Sequence, residues 1–345
     1  MRRSSAASFA RTRSSGGEPM EWIIMIAGFV LASYAVVAND AIQTLGTFLS
    51  SNRKRPWWVL WAFAAGILSI VLLWGWLGHA GDPSYGRLAK IPHPEPFSWL
   101  FVLPPLVLLV LTRLGMPVST TFLVLTVFSP KSLGSMVSKS LLGYAVAFVV
   151  AVLAYAAIAR VVERRFLETS NVPPSRFWTV LQWGSTGFLW AQWLIQDLAN
   201  IFVYLPRPLS PALLVGSLVL MVAMLGWIFY KGGGPIQKIV TSKTNTADIR
   251  AATIIDLLFG LVLLYFKEHS HIPMSTTWVF LGLLAGRELS LTLRLHVRTP
   301  AQTGGIILRD IGKATLGLVV SVVLALLLPV LADMFSVSTA VAATH

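Results

Sequence analysis

Eight long apolar stretches dominate this chain, near residues 21–49, 57–78, 97–129, 141–159, 177–203, 212–230, 251–286 and 308–332. A hydrocarbon slab takes roughly 20 apolar residues of helix to cross, so most of these stretches have the length of one membrane crossing. Inside hydrocarbon each backbone amide must find its partner within the segment, which leaves helix as the form such stretches take. The charges fit this reading by their placement. Only 12% of the residues are Asp, Glu, Lys or Arg, about half the share of a soluble domain, and they gather in short clusters between the apolar runs. A hydrophobic content of 55% and a mean hydropathy of +0.72 exclude a water-soluble enzyme. The expected fold class is an all-α polytopic membrane protein with the lipid bilayer as its surroundings. A net charge of +13 does not point to nucleic acid, because cytoplasmic loops of membrane proteins are enriched in Lys and Arg. With no Cys in the chain, disulfides, thiolate catalysis and thiolate metal sites are excluded.

Two stretches are unusual. Residues 97–129 and 251–286 each run past thirty residues, and each is interrupted by a basic residue, a Pro and then Ser-Thr-Thr. Pro117 and Pro273 cannot donate a helical hydrogen bond and bias the preceding residue away from helix, so each stretch reads as two half-helices forming a re-entrant hairpin. Broken helices at membrane depth are tolerated where they line a protein cavity.

These breaks belong to a repeat. Asp40 lies in a polar island inside one apolar span and Asp197 in another, 157 residues later, while Pro117 and Pro273 are 156 apart. Asp40 precedes Ser119 by 79 residues and Asp197 precedes Ser275 by 78. Two copies of one unit are expected, 20–160 and 177–333, joined by a basic cytoplasmic linker at 161–176 and followed by a short tail at 334–345. With the broken stretches entering and leaving on one side, each unit crosses three times, so the copies are inverted, as in many secondary transporters. One face then carries the loops 50–56, 160–176, 231–250 and 287–313 with 3, 4, 4 and 5 basic residues, sixteen in all. The other carries five, namely Arg87, Lys90, Lys131, Lys139 and Arg207. The positive-inside rule puts the sixteen in the cytoplasm and both termini outside. The basic tail 1–19 fits that poorly, and Met20 is the expected start.

In the first island Asp40, Gln43, Thr44 and Thr47 share a helix face. In the second, Gln196 and Asn200 lie one turn apart with Asp197 between them. An intramembrane carboxylate costs at least about 2.5–3.5 kcal/mol on insertion scales and is a functional hypothesis by default; helix glue by hydrogen bonding is the bland alternative. Ser119-Thr120-Thr121 and Ser275-Thr276-Thr277 sit at the start of half-helices, where unpaired N–H groups and hydroxyls suit a phosphate-like anion, against ordinary N-capping as the alternative. Carboxylates beside an anion require a cation. Na+ or H+ at Asp40 and Asp197 would neutralise them and couple to the anion, which argues for cation-coupled symport without any further cofactor.

These residues resemble the inorganic phosphate transporters of the PiT family, whose related members include a sulfate permease. The likeness covers residues 24–332. The family is similar in carrying two copies of Gly-Ala-Asn-Asp-Val-Ala-Asn and two of Pro-Val-Ser-Thr-Thr-His in inverted repeats. Here the copies read Val37-Ala38-Asn39-Asp40-Ala41-Ile42-Gln43 with Gly46-Thr47 following, and Leu194-Ile195-Gln196-Asp197-Leu198-Ala199-Asn200. One Asn of each copy is Gln, the opening Gly is replaced, and the final His is Phe122 or Trp278. The resemblance implies that Asn39, Asp40, Asp197, Asn200 and the Ser-Thr-Thr hydroxyls bind the anion and its coupling cation, with Gln43, Thr44 and Gln196 beside them. It implies phosphate, sulfate or another tetrahedral oxyanion as substrate, and a bacterial inner membrane as location. A homodimer is left open.

Asp256 in the second broken stretch admits a coupling or gating role and a structural ion pair equally. His269 and His271 read as solvated residues of the hairpin tip. Gly232-Gly233-Gly234-Pro235 lacks the Lys-Ser/Thr of a phosphate loop and reads as a turn. Trp57, Trp58, Trp61, Trp74 and Trp76 lie near span ends and read as interfacial anchors. A channel, an intramembrane aspartyl enzyme and a non-transporting scaffold are the rival classes. The paired half-helices have no role in the enzyme, gathering polar residues at one depth disfavours the channel, and retention of costly aspartates disfavours the scaffold.

Overall fold

The computed structural model describes residues 17–94, 97–269 and 274–342. Among them there is helix and no strand, and six helices are long and apolar enough to cross a membrane: Pro19–Ser51, Trp57–Gly78, Pro130–Glu168, Pro211–Tyr230, Ile249–His269 and Pro300–Leu328. The chain is an all-α polytopic membrane protein.

Helix α1 (Gly17–Ser51) is central, contacting α3 (Leu103–Arg113), α7 (Arg176–Asp197), α9 (Pro211–Tyr230), α11 (Ile249–His269) and α12 (Thr276–Leu295). Helix α2 (Trp57–Gly78) packs on α7 and α9. The lipid-facing sides carry exposed apolar residues such as Ile70, Leu153, Val219 and Leu326, as expected where the solvent is hydrocarbon. Starts and stops follow local chemistry. Ser210 accepts from the Leu213 amide at 3.4 Å with Pro211 next, which begins α9.

Both broken stretches are interrupted where the sequence indicates, but differently. In the first, α3 is an 11-residue helix that ends at Arg113; Gly115 turns the chain with φ +68°, a conformation that favours glycine. Helix resumes after Pro117 as a π-turn at Thr121–Leu125 and α4 (Thr126–Phe128) before α5 (Leu133–Ile158). In the second, α11 has 21 residues, about 30 Å at 1.5 Å per residue, and α12 has 20. The legs of this stretch are therefore full-length helices rather than half-helices. Pro273 and His271 lie outside the described residues. Each return leg packs on the last long helix of the opposite half: α12 runs along α5, and residues 121–128 lie against α13 (Pro300–Ala342).

The loops expected at 160–176 and 287–313 are largely helical. After α5 the chain continues through a π-turn at Ala159–Glu163 and α6 (Arg164–Glu168); α12 continues to Leu295 and α13 begins at Pro300. Arg287 looks like a loop marker by charge, yet it is fully buried. Its Nη2 donates to Glu163 Oε1 at 2.6 Å and its Nη1 to the Thr244 carbonyl at 2.6 Å and Glu288 Oε1 at 3.3 Å. Glu288 in turn accepts from the Thr244 amide and hydroxyl, both at 2.8 Å, and from Arg298 at 3.0 Å. This cluster ties α12 to the linker after α5 and to the segment before α11. Of the tryptophans, Trp57, Trp58 and Trp74 are exposed, whereas Trp61 and Trp76 donate across the molecule to the Val222 and Leu209 carbonyls.

The α5–α12 contact is so close that a Cβ on Gly282 or Gly286 would fall 2.3 Å from the Tyr144 or Phe148 carbonyl oxygen. Small residues one turn apart are what such a backbone approach needs. Gly286→Val is expected to force the helices apart at a cost of about 1–3 kcal/mol. Arg287→Met, which strands Glu163 without its partner, is expected to cost about 3–5 kcal/mol. Thermal unfolding of the purified protein in detergent checks both, with midpoints at wild-type level as the contrary result.

Candidate functional site

Asp40 and Asp197 are each 1% exposed, carried by α1 and by the C-terminal end of α7. Because each is buried inside the protein, water does not solvate the carboxylates, and their partners come from neighbouring side chains. Those partners are hydroxyls. Thr120 donates to Asp40 Oδ2 at 2.5 Å and Thr277 lies 3.4 Å from Oδ1; Thr276 donates to Asp197 Oδ2 at 2.7 Å and Thr121 lies 3.5 Å from Oδ1. Each aspartate thus takes one Thr from the break of its own half and one from the other, at corresponding positions.

The breaks also expose backbone acceptors. The Val118 carbonyl accepts from Asn39 Nδ2 at 2.6 Å and from Thr277 at 3.3 Å, and the Met274 carbonyl accepts from Thr121 at 3.3 Å. Three residues after each aspartate an amide returns to it: Gln43 Nε2 lies 3.2 Å from Asp40 Oδ1, and Asn200 Nδ2 lies 2.7 Å from Asp197 Oδ1. Asn200 Nδ2 is also 2.8 Å from the Thr120 hydroxyl and 3.3 Å from that of Thr121. The two carboxylates are therefore linked through Thr120 and Asn200, the former bound to Asp40 and the latter to Asp197. Asn39, Asp40, Gln43, Thr120, Thr121, Asp197, Asn200, Thr276 and Thr277 form one buried polar cluster.

The remaining sequence candidates stand apart from it. Ser119 and Ser275 accept from the Phe122 and Trp278 amides at 3.2 and 3.4 Å, capping their own helices. Thr44 donates back to the Asp40 carbonyl at 3.2 Å, satisfying itself within α1. Gln196 reaches the Leu263 carbonyl on α11 at 3.2 Å rather than Asp197. Phe122 and Trp278, which follow the two Ser-Thr-Thr segments, are both buried. His269 is exposed and stacks on Tyr265 with ring centroids 4.5 Å apart.

A further buried carboxylate, Asp256 of α11, faces α1 away from the Asp40–Asp197 cluster. Asp256 accepts from Thr47 and Thr186, both at 2.5 Å, and Thr186 accepts from Gln182 at 3.0 Å. Gln182 in turn accepts from Asn52 at 2.9 Å. Among the described residues Asp256 is held by the Thr47 and Thr186 hydroxyls with the Gln182 amide beside them, and no ion pair to it is found. Thr47 shares a helix face with Asp40 in sequence, but α7 and α11 draw it to this other cluster. Gln182 and Thr186 escaped the sequence reading because they sit in α7 without a flanking motif.

Oxygen atoms of carboxylates, hydroxyls and carbonyls make up most of the Asp40–Asp197 cluster. Hard cations take such ligands, and the same hydroxyls and amides are hydrogen-bond donors for an anion.

No protein-family model matches the sequence, and no curated protein matches it. Among solved structures, one described as "The sodium-dependent phosphate transporter" aligns with a TM-score of 0.57 over 89% of this chain and 96% of its own length, at 14% sequence identity. At that identity the likeness speaks for architecture: the chain has the fold of a sodium-dependent phosphate transporter.

Proposed function

We propose that the chain is a secondary active transporter that carries inorganic phosphate across the membrane by symport with Na+ or H+. The observation that carries this reading is the exchange of partners at the site, in which each buried aspartate is held by one Thr from each helix break. Such an arrangement links the charge state of both carboxylates to the relative position of the two halves. A cation at Asp40 or Asp197 neutralises charge that would repel an anion, and the Thr hydroxyls then turn their donors to the anion. The two halves are inverted repeats, the basic face is cytoplasmic, and rocking of the broken stretches against the other helices opens the site to one side at a time. The likeness to a sodium-dependent phosphate transporter supports this reading.

One atom favours phosphate over sulfate. Asn200 Oδ1 is a buried acceptor with no hydrogen-bond partner among the described residues, and an unmet buried acceptor costs about 1–3 kcal/mol. A hydrogen phosphate ion offers a P–OH donor to it; fully ionised sulfate offers none.

The test is uptake of labelled phosphate into proteoliposomes under imposed Na+ or H+ gradients, with sulfate as competitor. One gradient should drive uptake and sulfate should compete poorly. Asp40→Asn and Asp197→Asn are expected to leave a folded, monodisperse protein that no longer takes up phosphate against its gradient. Undiminished driven uptake in both variants would sink the mechanism, and preferential uptake of sulfate would transfer the site to the related oxyanion.

A further inference from the structure

Where α1 ends and α2 begins, the chain meets the end of α9 and the segment leading to α11, and together they enclose a cavity of about 540 Å³. Ser50, Arg53, Arg55, Trp57, Tyr230 and Gln237 are among the residues lining it. Trp57 is the first residue of α2 and Tyr230 the last of α9, and both helices are long and apolar enough to cross a membrane. The cavity therefore lies at the level where hydrocarbon gives way to lipid headgroups. The two rings pack edge to face with centroids 5.6 Å apart and stay half-exposed, the placement that interfacial aromatics take.

Charge in this region has one sign. No Asp or Glu occurs between Asp40 and Asp82 or between Asp197 and Asp248, the two stretches of sequence that supply every wall of the cavity. The same stretches carry Arg53, Lys54, Arg55, Lys231 and Lys238, all exposed. Asp248, the next carboxylate in sequence, is spent on Arg250, whose Nη2 donates to it at 2.6 Å. Arg53 and Arg55 form no ion pair among the described residues. Arg55 instead lies 5.4 Å over the Trp183 ring, and Lys231 lies 4.7 Å over that of Trp227. Ser50 Oγ accepts from Gln237 Nε2 at 2.8 Å and donates to nothing among the described residues, so its proton is uncommitted. Like charges gathered without a counter-charge repel one another. Two guanidinium groups and a hydroxyl around a cavity without a carboxylate are a donor set for phosphate oxygens.

We propose that this cavity holds the phosphate group of an anionic phospholipid, with Arg53, Arg55 and Ser50 donating to it and Trp57 and Tyr230 flanking the headgroup. A phosphate group reaches this point either on a lipid or as free inorganic phosphate. The lipid is favoured by the level at which the cavity lies and by Trp58 and Trp227, exposed beside it, which offer acyl chains an apolar border that a free anion does not use. Basic pockets between membrane helices take such headgroups. The site is separate from the Asp40–Asp197 cluster, and its occupancy does not depend on what the protein transports.

The experiment titrates the full chain, purified in a neutral detergent, with phosphatidylglycerol, phosphatidylcholine or inorganic phosphate and follows the thermal unfolding midpoint, while native mass spectrometry counts retained lipid. Phosphatidylglycerol is expected to raise the midpoint saturably, and phosphatidylcholine and inorganic phosphate are not. The double variant Arg53→Gln/Arg55→Gln is expected to weaken the apparent phosphatidylglycerol affinity about ten- to a hundredfold. Arg160→Gln/Arg165→Gln removes two exposed charges elsewhere on the basic face and is expected to leave that affinity near wild type. A midpoint that phosphatidylglycerol does not raise, or raises with the same affinity in the Arg53/Arg55 variant, overturns the proposal. Equal weakening by both pairs means general attraction of anions and overturns it too. If inorganic phosphate stabilises the wild type through Arg53 and Arg55 while phosphatidylglycerol acts no better than phosphatidylcholine, the lipid is overturned and the cavity belongs to the free anion. Should the double variant not fold, Arg53→Gln alone decides, since it leaves the Arg55–Trp183 stack in place: wild-type affinity there overturns the proposal.

Discussion

Two aspartates removed from water set the terms for the rest of this structure. Asp40 and Asp197 are buried inside the protein, and such a charge persists only if the fold brings polar groups to it. Helical backbone cannot do so, because its amides and carbonyls are spent on each other. The supply comes from two interruptions at which the Val118 and Met274 carbonyls accept from side chains and new helix begins at Ser-Thr-Thr. The hydroxyls of Thr120, Thr121, Thr276 and Thr277 are divided between the aspartates so that neither is satisfied by its own half.

That division demands close approach of elements far apart in sequence. The glycine pair Gly282 and Gly286 lets α12 lie against α5 at near-contact of backbones, which carries Thr276 and Thr277 to the cluster. Directly after Gly286, the buried Arg287–Glu163–Glu288 group fixes the same helix to the linker. A buried ion cluster is weak evidence for stability, but it specifies one docking geometry because any slip leaves charges unpaired. The Asp256 cluster repeats the hydroxyl-for-carboxylate solution on a smaller scale, with Thr47 and Thr186 in place of the paired breaks.

In the proposed transport reading, this economy of partners has a functional consequence. Each Thr hydroxyl has one proton to donate. When a carboxylate gains a cation or proton, its need for that donor falls, and the hydroxyl becomes available to an anion beside it. Coupling then follows from competition for the same few donors.

Much of this was legible in the sequence. The apolar stretches specified an all-helical membrane protein, because hydrocarbon leaves the backbone no alternative, and the matched spacing of Asp40 to Ser119 and Asp197 to Ser275 marked the two segments whose threonines, rather than Ser119 or Ser275 themselves, meet the aspartates. Spacing could not reveal which partner each takes. Gln196 looks equivalent to Asn39, yet its longer side chain reaches Leu263 on α11; Thr47 shares a face with Asp40, yet its hydroxyl goes to Asp256. Arg287 carries the charge of a loop residue and is buried, because Glu163 and Glu288 arrive from elsewhere to neutralise it. Local sequence determined where helices run, where they break and which polar atoms enter the membrane, since those follow from hydropathy and from proline chemistry. Only the tertiary structure decided which donor serves which acceptor, because a hydrogen bond depends on about an ångström of separation between groups up to 237 residues apart along the chain.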